Sequence, residues 1–301
     1  MHKNIKVVFM GTPDFSISVL EMLINECNVV LVVTQPDKVV GRKKEIKFSP
    51  IKELAIKNNI EVFQPSKIKT DFERIKEINP DLIVTCAYGQ ILPKDLLEIP
   101  RLGCINVHAS ILPKYRGAAP IQWSLLNGDS KTGVSLMYMD EGMDTGDIIA
   151  TNSINIDTND NVGSLHDKLS ILGANLLKDN LDNIISETCN RIKQDDNKAT
   201  YAPMITREME LIDLSDKGIN IINKIRAFNP WPLAYIKIDN QDIKIIEAEF
   251  KQKENTEIGK QLIDKNNFGI EVSDGVIYLK IIKPVGKKQM DIKSFINGLK
   301  K

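Results

Sequence analysis

The chain has 301 residues, 42% of them hydrophobic and 27% charged, and its 40 basic and 40 acidic residues cancel to a net charge of zero. At about 150 residues per domain the length predicts two domains, and the composition is that of a globular protein. No apolar run reaches the roughly 18 residues that a bilayer-spanning helix needs. Met1-His2-Lys3-Asn4-Ile5-Lys6 leads straight into an apolar strand without a small-residue cleavage site, so no signal peptide is expected. Cys27, Cys86, Cys104 and Cys189 are scattered, with neither a disulfide framework nor a C-x-x-C pair. A cytoplasmic protein with no membrane partner is the expectation. The zero net charge hides a split. Through Glu187 there are 20 basic and 24 acidic residues, and from Cys189 onward 20 and 16, which suits an anionic partner for the second half.

In chain order, Ile5 to Met10 is an apolar run that ends in Gly11-Thr12-Pro13-Asp14. Phe15, Val19, Leu20 and Leu23 follow at helical spacing, and Val29 to Thr34 is apolar throughout, as buried parallel strands are. This strand–helix–strand pattern recurs through Ile51–Asn58 with Val62-Phe63, then Phe72–Ile78 with Leu82–Thr85, and continues in Cys104–His108 and Gly133–Met139. It predicts an α/β domain over residues 1–188, doubly wound on a mostly parallel sheet and closed by a helix from Ser164 to about Ser186. A polar stretch around Asn190 to Asn197 reads as a linker, placed at 189–206. A helix over Ser215–Arg226 then stops at Asn229-Pro230-Trp231-Pro232. Runs at Ala234–Ile238, Ile243–Phe250, Gly269–Val272 and Val276–Ile282, with turns at Asp239-Asn240 and Asp274-Gly275, predict a small β-barrel within residues 207–301.

Ligands of open α/β sheets sit at the carboxyl ends of the strands. The first strand ends in Gly-Thr-Pro-Asp and not in G-x-G-x-x-G, which disfavours a nicotinamide enzyme, and no P-loop occurs. Asn106 and His108 lie two apart on an apolar strand, so both side chains share one face. Buried polar groups there are costly unless paired or used. A lone histidine can be a satisfied interior side chain, but of the three in the chain only His108 stands at a strand end. A long loop, Ser110 to Pro120, follows it. The strand Gly133–Met139 ends in Asp140-Glu141-Gly142-Met143-Asp144-Thr145-Gly146-Asp147. That stretch does not fit a calcium loop. It reads either as a solvated acidic turn or as the source of a carboxylate, Asp144, that meets the His108 imidazole. No clustered His or Cys set suggests zinc, and no metal is expected. Ser110 lacks the G-x-S-x-G elbow of a serine nucleophile, and Cys104 reads as a small buried hydrophobe.

Asn106-Val107-His108, Ser110-Ile111-Leu112-Pro113, Arg116-Gly117-Ala118-Ala119-Pro120 and Met139 to Asp147 closely resemble the methionyl-tRNA formyltransferases. So do Met10 to Phe15, Thr34 to Asp37, Gly41-Arg42-Lys43-Lys44, Ala87-Tyr88-Gly89 with Ile91-Leu92-Pro93, and Arg226 to Pro232. The Asn, His and Asp set is common to folate-dependent formyltransferases. The Pro-Trp-Pro segment and the second domain narrow the resemblance, which spans essentially the whole chain. It implies transfer of a formyl group from 10-formyltetrahydrofolate, the co-substrate, to the α-amino group of initiator methionyl-tRNA. It also implies a formyltransferase-like Rossmann variant followed by an OB-like tRNA-binding barrel. Asn106, His108 and Asp144 are then catalytic, and Ser110, Ile111, Leu112 and Pro113 form the folate site. Ile111, Ala109 and Trp123 depart from the usual family residues in ways expected to alter packing and not chemistry.

For tRNA contact the resemblance favours the loop bearing Arg42, Lys43 and Lys44, flanked by Lys38 and Lys47. In the barrel, Lys280, Lys283, Lys287 and Lys288 suit phosphate. Trp231, between two prolines, reads as an anchor between domains in preference to a stacking platform for a base. A monomer is expected. Two rivals remain at this point: a formyl-folate hydrolase or small-molecule formyltransferase with the same three residues, and a tRNA-binding module without catalysis.

Overall fold

The computed structural model describes residues 1–41, 45–239 and 241–299, so Arg42, Lys43 and Lys44 lie outside the described residues. The chain divides into two compact units. The first comprises residues 1–120, 132–154 and 166–202, and the second residues 121–131, 155–165 and 203–301.

The first unit is built on strands β1 (His2–Gly11), β2 (Cys27–Val33), β3 (Lys38–Val40), β4 (Glu45–Lys47), β5 (Val62–Phe63), β6 (Leu82–Cys86), β7 (Cys104–His108), β8 (Lys131–Tyr138) and β9 (Ile148–Asn155). Its helices are α1 (Ile17–Glu26), α2 (Pro50–Lys57), α3 (Glu73–Ile78) and α4 (Lys94–Leu97). Two further helices, α5 (Pro120–Leu126) and α6 (Val162–Ile185), cross the boundaries between the units. The sheet order is β5-β2-β1-β6-β7-β8-β9. The pairs from β5 through β7 are parallel, and β8 runs antiparallel to β7. From β1 the chain builds outward first through β2 and β5, then through β6 and β7. The reversal falls between β1 and β6, and in such sheets the crevice at that reversal is where ligands bind.

Local chemistry explains the elements. Ser49 caps α2 by accepting the Lys52 N–H at 3.1 Å, Pro50 begins the helix, and Lys57 closes its last turn. The α1 helix buries Val19, Leu20 and Leu23, while Val8, Met10, Leu31, Val33, Ile83 and Cys104 of four neighbouring strands share one apolar cluster. Gly173 lets α6 approach the sheet closely, since a Cβ there would stand 2.8 Å from the Val107 side chain. Within the stretch read from sequence as a basic loop, Lys38–Val40 and Glu45–Lys47 are the antiparallel strands β3 and β4, with Val39 paired to Ile46. Both side chains are more than 60% exposed, so burial gives this pair no strand signature.

The second unit holds α7 (Gly218–Ala227), β10 (Tyr235–Ile238), β11 (Gln241–Gln252), β12 (Gln261–Ile263), β13 (Phe268–Val272), β14 (Gly275–Pro284), β15 (Met290–Asp291) and α8 (Ile292–Leu299). The strands form an antiparallel sheet in the order β10-β11-β14-β13-β12, with β15 against β14, consistent with an OB-like domain. A register shift between Ile245 and Ala248 bends the long β11–β14 pair, as bulges do in curved sheets. Trp231, expected as an anchor between domains, is 74% exposed. Its turn is held without the ring: Leu233 N–H donates to Phe228 O at 2.8 Å, Asn229 to Ile246 O at 2.9 Å, and Lys244 to Pro232 O at 2.7 Å. No described helix is long and apolar enough to cross a membrane.

Candidate active site

The carboxyl ends of β6 and β7 lie side by side, with Thr85 paired to Asn106. On the other flank of β7, His108 pairs with Ser135 of β8. Thr85, 3% exposed, donates its hydroxyl to Asn106 Oδ1 at 2.8 Å. The other end of the amide fixes the assignment, because the Asp144 carboxylate only accepts and so faces Nδ2, which leaves Oδ1 to take the Thr85 hydroxyl hydrogen. The Asn106 Nδ2 amino group is turned toward Asp144, whose Oδ1 lies 3.4 Å away. His108 is 6% exposed, and its Nε2 lies 2.9 Å from the carbonyl oxygen of Tyr115. A carbonyl only accepts, so Nε2 carries a hydrogen and Nδ1 is left as the nitrogen that takes or gives a proton. Nδ1 stands 3.7 Å from Asp144 Oδ2. This is too long for a direct hydrogen bond and close enough for a shared substrate atom or a charge pair. The three polar residues read from the strand and the acidic loop thus converge within one small volume.

Asp144 itself sits in the left-handed backbone region at φ 54. Its Oδ2 accepts the Gly117 N–H at 2.8 Å, so the loop after β7 returns to grip the carboxylate. Gly117 is at φ 118, and a Cβ there would stand 2.9 Å from the Ala202 carbonyl oxygen, so the loop closes only with glycine.

The segment Ser110–Pro113 is pinned to β8. Ser135 donates to Ser110 O at 2.7 Å and accepts from Leu112 N–H at 3.0 Å. Leu112 packs with Met137 and Ile148, and the Leu112–Pro113 peptide is cis. The Ser110 hydroxyl is committed to Lys114 O at 2.6 Å and is 1% exposed as a residue, which fits a loop brace and not a nucleophile. Burial pushes the Cys104 thiol up to about 12, and Cys86 likewise, so neither offers a thiolate. Among the described residues no group of three or more His, Cys, Asp and Glu side chains is arranged to hold a metal ion.

Several participants were not singled out from sequence. Thr85 ends an apolar strand, and the criterion that selected Asn106 would have found it. Arg116, 2% exposed and read from sequence only within the Arg116–Pro120 motif, and Gln194 and Thr200 from the presumed linker also brace the site. Tyr115 N–H donates to Thr200 Oγ1 at 2.9 Å, and Arg116 donates to Gln194 Oε1 from Nε at 3.1 Å and from Nη2 at 2.9 Å. Nothing in a polar run marks such residues. In the second unit Lys283, Lys287 and Lys288 are exposed, whereas Lys280 pairs with Glu249 at 3.0 Å.

The model of the formyl transferase family matches residues 3–181, and that of the formyl transferase C-terminal domain matches residues 204–300. The methionyl-tRNA formyltransferase of Bacillus subtilis (strain 168) is 46% identical over 299 residues, covering 97% of this chain and 94% of that one. The methionyl-tRNA formyltransferase of Bacillus velezensis is 48% identical over the same length and the same shares. Among solved structures, an N-formyltransferase from Helicobacter canadensis in complex with folinic acid and dTDP-3-aminofucose shares the fold. Its TM-score is 0.66 at 23% identity, over 93% of this chain and 99% of that one. A match of that extent at both levels places the chain in the formyl transferase family, as one of its methionyl-tRNA formyltransferases.

Proposed function

We propose that formyl transfer to methionyl-tRNA proceeds here by direct attack of the methionine α-amino group on the formyl carbon of 10-formyltetrahydrofolate, within the cluster of Asn106, His108 and Asp144. The observation that carries this reading is the orientation of two hydrogen-bonding groups about one carboxylate: Asn106 Nδ2 at 3.4 Å and His108 Nδ1 at 3.7 Å from Asp144.

An α-amino group with a pKa of about 8 or below is substantially neutral near pH 7.5 and needs no strong base to attack. Attack forms the new N–C bond and places negative charge on the formyl oxygen. The largest demand on the site is to have donors already aimed at that oxygen. The Asn106 N–H, whose direction Thr85 holds, is one such donor. The His108 Nδ1–H of the imidazolium is the other. The amine that has attacked must lose a proton, and the Asp144 carboxylate is the nearest acceptor, directly or through one water. Collapse then re-forms the carbonyl and breaks the bond between the formyl carbon and the folate nitrogen, which leaves with the proton that Asp144 took from the amine, handed over directly or through one water. Neither a covalent enzyme intermediate nor a metal enters this scheme.

Ser110, Ile111, Leu112 and Pro113, braced on β8, form the wall assigned to folate. Contacts to tRNA are assigned to Arg42, Lys43 and Lys44, and to the exposed Lys283, Lys287 and Lys288, with the chain acting as a cytoplasmic monomer on initiator methionyl-tRNA. The test is incubation with 10-formyltetrahydrofolate and charged initiator tRNA. N-formylmethionyl-tRNA should accumulate with stoichiometric tetrahydrofolate. Release of formate without formylated tRNA would support the hydrolase instead, and intact formyl-folate would leave only a binding module.

A further inference from the structure

The segment from Gln194 to Ala202 lies against two loops of the site at once. Its backbone pairs with the loop after β7: Arg116 N–H donates to Thr200 O at 2.9 Å, Ala202 N–H to Arg116 O at 2.8 Å, and Ala119 N–H to Ala202 O at 3.1 Å. Its first polar side chain reaches the acidic loop. Gln194 Nε2 donates to the carbonyls of Asp144 and Gly146, each at 2.8 Å. The amide cannot be reversed, because Arg116 supplies only donors and both Nε and Nη2 point at Gln194 Oε1. Arg116 is placed in turn by Asp196 Oδ1, 2.8 Å from Nη2.

These contacts close a ring. The Asp144 carboxylate is gripped by Gly117 N–H, the next residue back is Arg116, Arg116 orients Gln194, and Gln194 holds the Asp144 carbonyl. The residue so enclosed has φ 54, a left-handed conformation that costs a residue with a Cβ some energy, less for Asp than for most, and that its neighbours here hold in place. The far end of the loop is tied to β8, where Tyr138 N–H donates to Asp147 O at 2.9 Å, but the stretch leading to Asp144 has less to hold it. Glu141, Gly142 and Met143 are exposed, and the loop's side-chain bonds run among Asp140, Gly142 and Thr145.

We propose that Gln194 is a positioning residue for formyl transfer, holding the backbone of Asp144 so that its carboxylate faces Asn106 and His108. The proposal rests on the catalytic reading of Asp144 given above. Gln194 touches neither partner of the reaction in this scheme, so its loss acts on turnover through Asp144.

The test uses the full-length enzyme with Gln194→Ala, Gln194→Glu, Asp144→Asn and the Asp144→Asn/Gln194→Glu double variant. Gln194→Glu keeps an acceptor for Arg116 and removes both donors, so it carries the test even where the alanine variant folds poorly. Both Gln194 variants should lose about tenfold or more in kcat, as a modest misplacement of a reacting group does. KM for 10-formyltetrahydrofolate should stay within about twofold, and the double variant should be no slower than Asp144→Asn alone. Full kcat in Gln194→Glu, or losses that multiply in the double variant, would overturn the positioning role while leaving Asp144 in place. Full kcat in Asp144→Asn would overturn the catalytic reading itself, and the positioning role with it.

Discussion

Thr85 with Asp144 for Asn106, and Tyr115 for His108, do what no strand geometry does by itself: they decide which atom faces the reaction. A strand end supplies direction only to the nearest turn of a side-chain torsion, and an amide or an imidazole can still present either of two ends. The Asp144 carboxylate, which only accepts, selects the amide nitrogen, the Thr85 hydroxyl pins Oδ1 behind it, and the Tyr115 carbonyl leaves Nδ1 facing the reaction. Thr85→Val removes the hydroxyl with almost no change in volume. It should lower kcat about fivefold to tenfold, the equivalent of one hydrogen bond of about 1–1.5 kcal/mol, with folate affinity unchanged and Thr85→Ser restoring the rate. Steady-state kinetics with a parallel folate titration checks this. Unaltered kcat in the valine variant would mean that the amide is oriented by something else. At this scale the sequence made Asn106, His108 and Asp144 visible, because polar groups on an apolar strand and a carboxylate after a strand are conspicuous. Their braces were not visible. Gln194 and Thr200 lie about 50 to 85 residues from the groups they hold, in a run whose polarity is what a surface segment would show.

Elements followed the same logic of burial. The central strands β1, β2, β6 and β7 announce themselves as apolar runs because both faces are covered. The edges do not. In β9, at one end of the sheet, most of the residues after Ile149 are exposed, and its Thr-Asn-Ser run carries no strand signal. Edge strands are commonly polar, since exposed apolar edges invite unwanted pairing. The C-terminal helix α8 was legible in principle, with Ile292, Phe295 and Ile296 at helical spacing, but it adjoins strands and was read with them. Within the second unit one ionic group shapes the sheet. Glu271 on β13 is 1% exposed, bonded to Lys253, and accepts the Glu257 N–H at 2.5 Å, so it ties the preceding loop to the strand. The Lys253 ammonium, with the Glu257 N–H, holds its carboxyl below the usual glutamate range. A depressed carboxyl stabilises the fold fully above its unfolded pKa of about 4.3, and that contribution is lost as pH falls through the folded value. Glu271→Gln should therefore be less stable than wild type at pH 7, with the gap in urea midpoint narrowing below pH 4. A gap that persists at low pH would assign the loss to packing and not to charge.

For the whole molecule, Asn106, His108 and Asp144, proposed for the chemistry, belong to the first unit, and the exposed Lys283, Lys287 and Lys288, proposed for tRNA contact, belong to the second. Length, a parallel sheet and an antiparallel C-terminal sheet were all readable from apolar periodicity. The interruption of the first unit by segments 121–131 and 155–165, which belong to the second, was not, because such exchanges depend on which surfaces the chain finally buries. In the proposed mechanism, donors fixed before the reaction stabilise the oxygen that becomes negative during it. Single-turnover formylation of initiator methionyl-tRNA by Asn106→Ala, with folate affinity measured alongside, tests that claim most directly. A rate lower by about 100-fold, with folate affinity within about twofold of wild type, is the predicted result. A wild-type rate in that variant would contradict it.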